Sequence, residues 1–177
     1  MEKITVIVTL YNRLEYARNM ILALLNQTKM IDELIFADDG SKDDVKDVIG
    51  DLIERCSFTI KKTYQADLNF RAARSRNNGA REASGDFLIF LDQDVIFSND
   101  FIEKIYNARQ KKKMLCGRAI FIEEGTKNSI QDEITKKGQL DFDNLYDKYI
   151  SKEEIEEVEK KFKKDTLYKY LYRMKLR

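Results

Sequence analysis

Residues 87–94, FLIFLDQD, place two carboxylates directly after a run of apolar side chains. The apolar run has the length and composition of a strand in the interior of a sheet. Burying an unpaired carboxylate is costly, so Asp92 and Asp94 must face a partner or solvent. The stretch therefore predicts a buried strand whose carboxyl end opens onto a polar crevice.

An alternation of strands and helices extends outward from this stretch. Apolar, β-branched runs predict strands at residues 4–10, 33–37, 58–64 and 87–91, and residues 118–123 are a further candidate. Apolar residues at helical spacing predict helices at residues 14–27, 43–55, 72–83 and from 99 or 100 to about 109, with Ser41 as the N-cap of the second helix. This order predicts an α/β fold, a mostly parallel sheet flanked by helices.

The C-terminal part of the chain has a different character. Beyond residue 126 it is polar and densely charged, and residues 151–165 predict a helix that begins with a capping box of Ser151 and Glu154. Residues 160–177 combine eight basic residues with interleaved leucines and tyrosines. Such a segment fits a helix docked on the domain or on a partner subunit, which we favour, or a helix on an anionic membrane surface.

The composition excludes several classes of function. The 177 residues are 43% hydrophobic and 36% charged, which predicts a globular chain with a core. The net charge of +1 argues against nucleic acid as a partner. Histidine is absent, which excludes histidine zinc sites, Ser–His–Asp triads and Cys–His dyads. Acid–base chemistry must therefore use Asp, Glu, Lys or Tyr.

The compartment can also be predicted from composition. Cys56 and Cys116 are far apart and form no disulfide framework, which favours a reducing compartment. The first ten residues, MEKITVIVTL, do not have the pattern of a signal peptide, and no run of about 18 apolar residues occurs. We expect a cytoplasmic protein, with residues 160–177 as the one candidate for peripheral contact with the inner face of the membrane.

Polar clusters follow three of the predicted strands, at residues 9–12, 38–41 and 92–94. In parallel sheets, ligands bind beyond the carboxyl ends of the strands. Asp38 and Asp39 fit either an ordinary helix-capping turn or an acceptor for a nucleobase N–H or a ribose hydroxyl. The Asp-Gln-Asp cluster fits either a solvated turn or a site for Mg²⁺ or Mn²⁺, which often take only one or two protein oxygens.

Four arginines crowd residues 70–81, FRAARSRNNGAR. Arg71 and Arg76 lie near the start of the helix that leads to the Asp-Gln-Asp strand, where guanidinium groups could hold a diphosphate by charge-assisted hydrogen bonds. A solvated basic helix face is the alternative, and we favour it for Arg74 and Arg81.

These motifs, in this order, resemble family 2 glycosyltransferases with the GT-A fold. The resemblance is carried by VIVTLYNR (6–13), ALLNQT (23–28), ELIFADDGSKD (33–43) and FRAARSRNNGAREASGDFLIFLDQD (70–94). It covers residues 1 to about 120, and its last segment is similar to capsule polysaccharide and chondroitin-type polymerases. The resemblance implies a Rossmann-like nucleotide-sugar-binding domain at residues 1–125, followed by a charged, mainly helical extension at residues 126–177.

The resemblance also implies an activity and a role for each site residue. Sugar would pass from a nucleoside diphosphate donor, most often UDP, to a saccharide acceptor with inversion, in polysaccharide biosynthesis. The residues implied in nucleotide-sugar binding are Thr9, Tyr11, Arg13, Asp38, Asp39, Arg71, Arg76 and Asp92. Asp94 would hold Mn²⁺ or Mg²⁺ bridging the diphosphate.

The catalytic base is the part that this sequence does not match. In the family an Asp takes the acceptor proton in a later motif, beside an aromatic, glycine-rich acceptor loop. No tryptophan occurs here and no glycine follows Gly138, so we expect the acceptor subdomain to be truncated. Either the chain is a binding module or fragment without turnover, or an acidic residue substitutes as the base; the candidates are Asp132, Glu133, Asp141 and Asp143. A nucleotidyltransferase is disfavoured because no glycine-rich, lysine-containing loop lies near the N-terminus.

Overall fold

The computed structural model describes residues 2–117 and 119–164. The chain divides into two compact units, Met1–Ile102 and Glu103–Arg177. The predicted functional boundary at residue 125 stays a prediction.

The first unit is built on a four-stranded parallel sheet. Its strands are β1 (Ile4–Leu10), β2 (Glu33–Asp38), β3 (Thr59–Tyr64) and β4 (Phe87–Asp92). Their order is β3-β2-β1-β4, and each neighbouring pair is parallel. All four strands lie within one residue of their predicted bounds, and the predicted α/β fold is confirmed. The long apolar runs of β1 and β2 are explained by their position, since both strands are buried in the middle of the sheet.

Helices follow each of these strands. They are α1 (Glu15–Leu25), α2 (Lys46–Ile53), α3 (Ala72–Glu82) and α4 (Phe101–Ala108). The apolar residues of α1 that predicted a helix, among them Ala17, Ile21 and Leu24, are buried. The alternation returns every strand in the same direction, so the carboxyl ends of all four strands lie at one edge of the sheet.

The prediction that Ser41 caps α2 is wrong. The helix begins at Lys46, and its N-cap residue, Val45, makes no side-chain capping bond. The Ser41 hydroxyl instead accepts the N–H of Asn12 at 2.9 Å. Seven residues between the end of β2 and α2 are therefore free to form a loop across the end of β1.

The second unit contains helices α5 (Glu124–Lys137), α6 (Leu145–Tyr149) and α7 (Lys152–Lys164). Helix α5 ends at Gly138, whose φ of 67° is the left-handed conformation that favours glycine at a helix end. The predicted capping box of α7 is confirmed, because Glu154 Oε2 accepts the N–H of Ser151 at 2.8 Å and Ser151 Oγ accepts the N–H of Glu154 at 3.2 Å.

Two other predictions concern the second half of the chain. The strand predicted at residues 118–123 is wrong for its described residues, 119–123, which form no strand. Phe121 is 94% exposed there, so the alternating apolar residues do not bury one face. The basic segment at residues 160–177 lies mostly outside the described residues. Across the described part of the chain, no helix combines the length and apolar character needed to cross a bilayer.

Candidate functional site

The register of the sheet brings the predicted site residues of three strands to one edge. Thr9 of β1 is opposite Asp92 of β4, and Leu10 is opposite Asp38 of β2. The polar segments that follow β1, β2 and β4 therefore begin side by side, although they are far apart in sequence. This edge, formed by residues 9–13, 38–41 and 92–94, is the candidate site.

The carboxylates of the Asp-Gln-Asp turn are solvent-exposed and each faces an arginine. Arg76 Nη2 lies 2.5 Å from Asp92 Oδ1, and Arg13 Nη2 lies 3.7 Å from Asp94 Oδ2. The side chains of Asp92 and Asp94 are 60% and 52% exposed. Exposed ion pairs are weak, so a phosphate or a cation can replace either partner at little cost.

Asp38 is buried and organises its own turn. Its Oδ1 accepts the N–H groups of Gly40 and Ser41 at 3.1 and 2.8 Å. Its Oδ2 has no hydrogen bond, and the Lys62 ammonium group lies 3.5 Å away. Gly40 has a φ of 102°, and a Cβ there would lie 2.6 Å from the Asp67 Cα. Only glycine fits this turn, because of both the backbone conformation and the close neighbouring chain.

Asp39 is 2% exposed and joins β2 to the loop that precedes α3. Its Oδ2 accepts the N–H of Arg71 at 2.7 Å, and its Oδ1 accepts a hydrogen bond from the Gln65 amide. The Gln65 side chain also accepts from Asn78 Nδ2 at 3.1 Å. A carboxylate oxygen can accept more than one hydrogen bond, so Asp39 keeps acceptor capacity for a ligand N–H.

Arg71 lies where α3 begins. Its backbone N–H is bonded to Asp39, and its guanidinium group donates to the carbonyl oxygen of Ala66. Its Nε atom is buried and has no hydrogen-bond partner. Arg71 thus ties the loop of residues 66–71 together and retains one unused donor.

Tyr11 and Arg13 lie on the loop after β1. The Tyr11 hydroxyl donates to Asp67 Oδ2 at 3.1 Å, and this carboxylate raises the pKa of the phenol. Asn12 and Arg13 have φ values of 50° and 44°, a left-handed conformation that is uncommon outside glycine. The Thr9 hydroxyl is buried and has no hydrogen-bond partner, so it is an unused polar group beside Asp92.

Three residues of this site were not predicted from the sequence. Gln65 and Asp67 follow β3, the one strand whose polar ending was not included among the site clusters. Gln93 was treated only as the spacer between two aspartates, yet its side chain bonds to both backbone groups of Tyr11. For Gln65 and Asp67, the polar run after the third strand was the available signal.

The donor atoms at this edge fit a divalent cation shared with a ligand. Among the described residues, no group of three acidic, cysteine or histidine side chains could enclose an ion. Exposed carboxylates on Asp92 and Asp94 nevertheless match the small number of protein oxygens that Mg²⁺ uses when phosphates and water supply the rest. The chemistry of these side chains therefore suits a divalent cation that a phosphate ligand also binds.

The candidate base Glu133 is engaged in its own unit. Its carboxylate accepts hydrogen bonds from Lys137 at 3.1 Å and from Lys148 and Tyr149. Hydrogen bonding from Lys148 is the main reason why its pKa falls from 4.5 to about 2. Such a carboxylate is a weak proton acceptor, so these contacts argue against Glu133 as the base.

The other candidates have separate surroundings. Asp141 accepts hydrogen bonds from both the side chain and the backbone of Asn144, which lowers its pKa. Asp132 forms an exposed ion pair with Lys136 at 3.7 Å. The lowered pKa of Asp141 argues against it as a general base at neutral pH.

An aspartate-bearing edge on a parallel sheet is the arrangement of a nucleotide-binding α/β domain, and the comparisons with known proteins define the class further. The chain belongs to glycosyl transferase family 2, whose family model matches residues 5–170. The predicted family is therefore confirmed.

Named relatives support the same class. The chain is 34% identical over 107 residues to validoxylamine A glucosyltransferase of Streptomyces hygroscopicus, an alignment that covers 59% of this chain and 25% of that protein. It is 30% identical over 142 residues to the GalNAc(5)-diNAcBac-PP-undecaprenol beta-1,3-glucosyltransferase of Campylobacter jejuni, covering 78% and 44%. The chain thus spans less than half the length of these two relatives.

Solved structures agree on the fold. TarS of Staphylococcus aureus (residues 1–349) matches with a TM-score of 0.50 at 17% identity, over 68% of this chain and 40% of that one. The same protein, solved in complex with UDP-GlcNAc, matches with the same TM-score over 38% of its length. At this identity the likeness confirms the GT-A fold alone.

Proposed function

We propose that this chain carries the donor-binding part of a metal-dependent, inverting glycosyltransferase, with a UDP-sugar as the favoured donor. The observation that carries the proposal is the convergence of Asp39, Asp92, Asp94, Arg13 and Arg76 at one edge of the sheet. Carboxylates that can hold a cation alternate there with guanidinium groups that can hold phosphates. The family and the UDP-GlcNAc complex of TarS support the same ligand class.

Each site residue has a proposed role. The exposed ring of Tyr11 offers a face for the nucleobase, and Asp39 offers an acceptor for a base N–H. Arg13, Arg71 and Arg76 would exchange their present acceptors for phosphate oxygens. Thr9 and Asp92 would contact the ribose or the sugar. Asp38 acts by holding the turn that carries Asp39.

A divalent cation, Mn²⁺ or Mg²⁺, would supply positive charge that stabilises the diphosphate leaving group. Asp94 is its proposed protein ligand, with Asp92 beside it. Arg13 and Arg76 would add positive charge on the same side, which also favours departure of the diphosphate. The acceptor would be a saccharide.

A nucleotide-sugar-binding module without turnover is the second candidate. It is favoured by the state of Glu133 and Asp141, two of the candidate bases, whose carboxylates are held by local donors with lowered pKa values. The similarity to chondroitin-type polymerases, the cytoplasmic location and the role of residues 160–177 stay predictions.

Calorimetric titration of UDP into the chain, with Mn²⁺ and with EDTA, tests the proposal. We expect saturable binding that Mn²⁺ strengthens, because Asp94 would hold the ion where its charge favours a bound diphosphate. GDP and dTDP are the matched alternatives for the base. If none of the three nucleotides binds in either condition, the proposed donor site is wrong.

A further inference from the structure

Gln93, the middle residue of the Asp-Gln-Asp turn, makes two hydrogen bonds to one residue of another strand loop. Its Oε1 accepts the N–H of Tyr11 at 3.0 Å, and its Nε2 donates to the carbonyl oxygen of Tyr11 at 3.3 Å. The residue is only 9% exposed, between two aspartates that are exposed to solvent. Both polar atoms of its amide therefore bond to the protein backbone.

These two bonds continue the hydrogen bonding between β1 and β4 past the last paired residues of the two strands. The paired residues of β1 and β4 end at Thr9 and Asp92. A glutamine amide carries the same donor and acceptor as a peptide group. The side chain of Gln93 thus satisfies the backbone of Tyr11 as a neighbouring strand would.

The loop held in this way needs external support. Asn12 and Arg13, which follow Tyr11, both have positive φ values, and such conformations persist only where the surroundings determine them. The Arg13 guanidinium group lies 3.7 Å from Asp94, so the loop places one charge directly beside the turn that carries Gln93. Gln93 therefore connects the loop after β1 to the turn after β4 in the candidate site.

We propose that Gln93 is a positioning residue for nucleotide binding. It holds Tyr11 and Arg13 in the geometry in which they can contact a nucleoside diphosphate next to Asp92 and Asp94. The inference rests on the proposed function, since it states how that same site is kept in shape. Gln93 acts through Tyr11 and Arg13, and its own amide is not proposed to contact the ligand.

The chain offers a matched control in Gln27. This buried glutamine also bonds only to backbone groups: its Nε2 donates to the carbonyl oxygens of Ala23 and Ser98 at 3.0 and 2.9 Å, and its Oε1 accepts the N–H of Ile102 at 3.0 Å. It makes none of these contacts with a residue of the candidate site. Methionine has nearly the length and volume of glutamine without its amide, so Gln93→Met and Gln27→Met remove comparable bonds at two places.

The test measures UDP affinity by calorimetry, with and without Mn²⁺, together with the thermal midpoint of unfolding, for the full chain and both variants. We expect Gln93→Met to weaken UDP binding at least about tenfold in both conditions, since losing two hydrogen bonds releases the loop. Gln27→Met should lower the thermal midpoint by as much or more and leave UDP affinity within about twofold of the unmodified chain.

Each outcome decides the matter. Equal UDP affinity of Gln93→Met and the unmodified chain overturns the positioning role while the proposed function stands. Equal loss of affinity in both variants also overturns it, because the effect would then follow stability alone. If the unmodified chain binds no nucleotide, the proposed function fails first and the inference falls with it.

Discussion

Individual aspartates at this site differ by their surroundings. Asp38 and Asp39 are buried, and their carboxylates accept backbone N–H groups that hold a turn or loop of the site in place. Asp92 and Asp94 are exposed and face arginines. The first pair builds the site, and the second pair remains available to a cation or a ligand.

Substitution of Asp94 tests the metal role. Asp94→Ala should remove most of the strengthening of UDP binding by Mn²⁺, at least about tenfold, because the ion loses its protein ligand. Binding in EDTA should change little. The control is Asp51→Ala, which breaks another exposed Asp–Arg pair, with Arg18 at 2.5 Å on α1. An unchanged Mn²⁺ effect in Asp94→Ala would rule out Asp94 as the ligand.

Substitution of Asp39 tests the contact with the nucleobase. Asp39→Ala should weaken UDP binding in EDTA as well as in Mn²⁺, because its proposed contact does not involve the ion. It should also lower the free energy of unfolding by about 1–3 kcal/mol, since Arg71 N–H and the Gln65 amide lose a buried acceptor. Calorimetry and urea unfolding measure the two effects. Loss of only the Mn²⁺-dependent part would contradict the base contact.

Among the elements, α3 connects the core to the site. Its Ser75 hydroxyl donates to the carbonyl oxygen of Ala37 on β2 at 2.6 Å, and its Gly79 faces Ile7 of β1. Arg76, which follows Ser75 on the same helix, forms an ion pair with Asp92 of the Asp-Gln-Asp turn. The close approach of this helix to the sheet therefore sets the position of a proposed phosphate ligand.

Two glycine substitutions test how closely α3 packs against the sheet. A Cβ at Gly79 would lie 2.7 Å from Ile7 Cγ2 and 3.3 Å from Ala37 Cβ, whereas Gly50 on α2 has no such atom within 4 Å. Gly79→Ala should lower the free energy of unfolding by about 1–3 kcal/mol. Gly50→Ala should raise it by about 0.5–1 kcal/mol, because alanine favours helix. Urea unfolding compares them; equal effects at both positions would contradict the tight packing of α3.

The opposite edge of the sheet carries an ion pair between a buried glutamate and a partly exposed lysine, which should make stability depend on pH. Glu33 Oε1 lies 2.6 Å from Lys61 Nζ, and the same carboxylate accepts from Thr5 and Ser84. Burial alone would raise the pKa of Glu33, but hydrogen bonds from Lys61, Ser84 and Thr5 outweigh it and lower the pKa from 4.5 to about 2.

The sign of the pH effect follows from this lowered pKa. The contribution of Glu33 to stability is present above pH 4.5 and declines as the pH falls toward 2. The difference in unfolding free energy between the unmodified chain and Glu33→Gln should therefore be largest near neutral pH and shrink below pH 4.5. Glu156→Gln, which breaks an exposed pair with Lys160, is the control and should show almost no difference. A constant difference for Glu33→Gln would exclude its titration as the cause.

Turnover by the whole chain requires a general base in addition to the donor site. The family match extends over residues 5–170, so it includes most of the second unit, yet the alignments cover only 25% and 44% of the two relatives named above. The described acidic residues of that unit that were candidate bases are engaged locally or exposed.

An assay for release of UDP from a UDP-sugar tests whether the full chain turns over its donor. We expect slow, Mn²⁺-dependent release, because water can replace the acceptor once the donor is held, and we expect Asp94→Ala to abolish it. Coupled detection of UDP with a panel of UDP-sugars measures the rate. Tight UDP binding without any release would instead favour the binding module.

The α/β order, the bounds of the four strands to within one residue and the start of α7 could all be predicted from the sequence alone. These features depend on local periodicity and on short-range bonds such as the one between Ser151 and Glu154. A run of apolar residues predicts a buried strand from local sequence alone, and the two residues of a capping box lie within four positions of each other.

Long-range hydrogen bonds in the folded chain separate the polar residues that build the site from those that remain available to a ligand. Ser41 bonds to Asn12, Gln93 to Tyr11 and Gln65 to Asp39, across separations of 29, 82 and 26 residues. Hydrogen bonds of this kind leave no periodic trace in the sequence, because they form only after the parallel strands have brought their carboxyl ends to one edge.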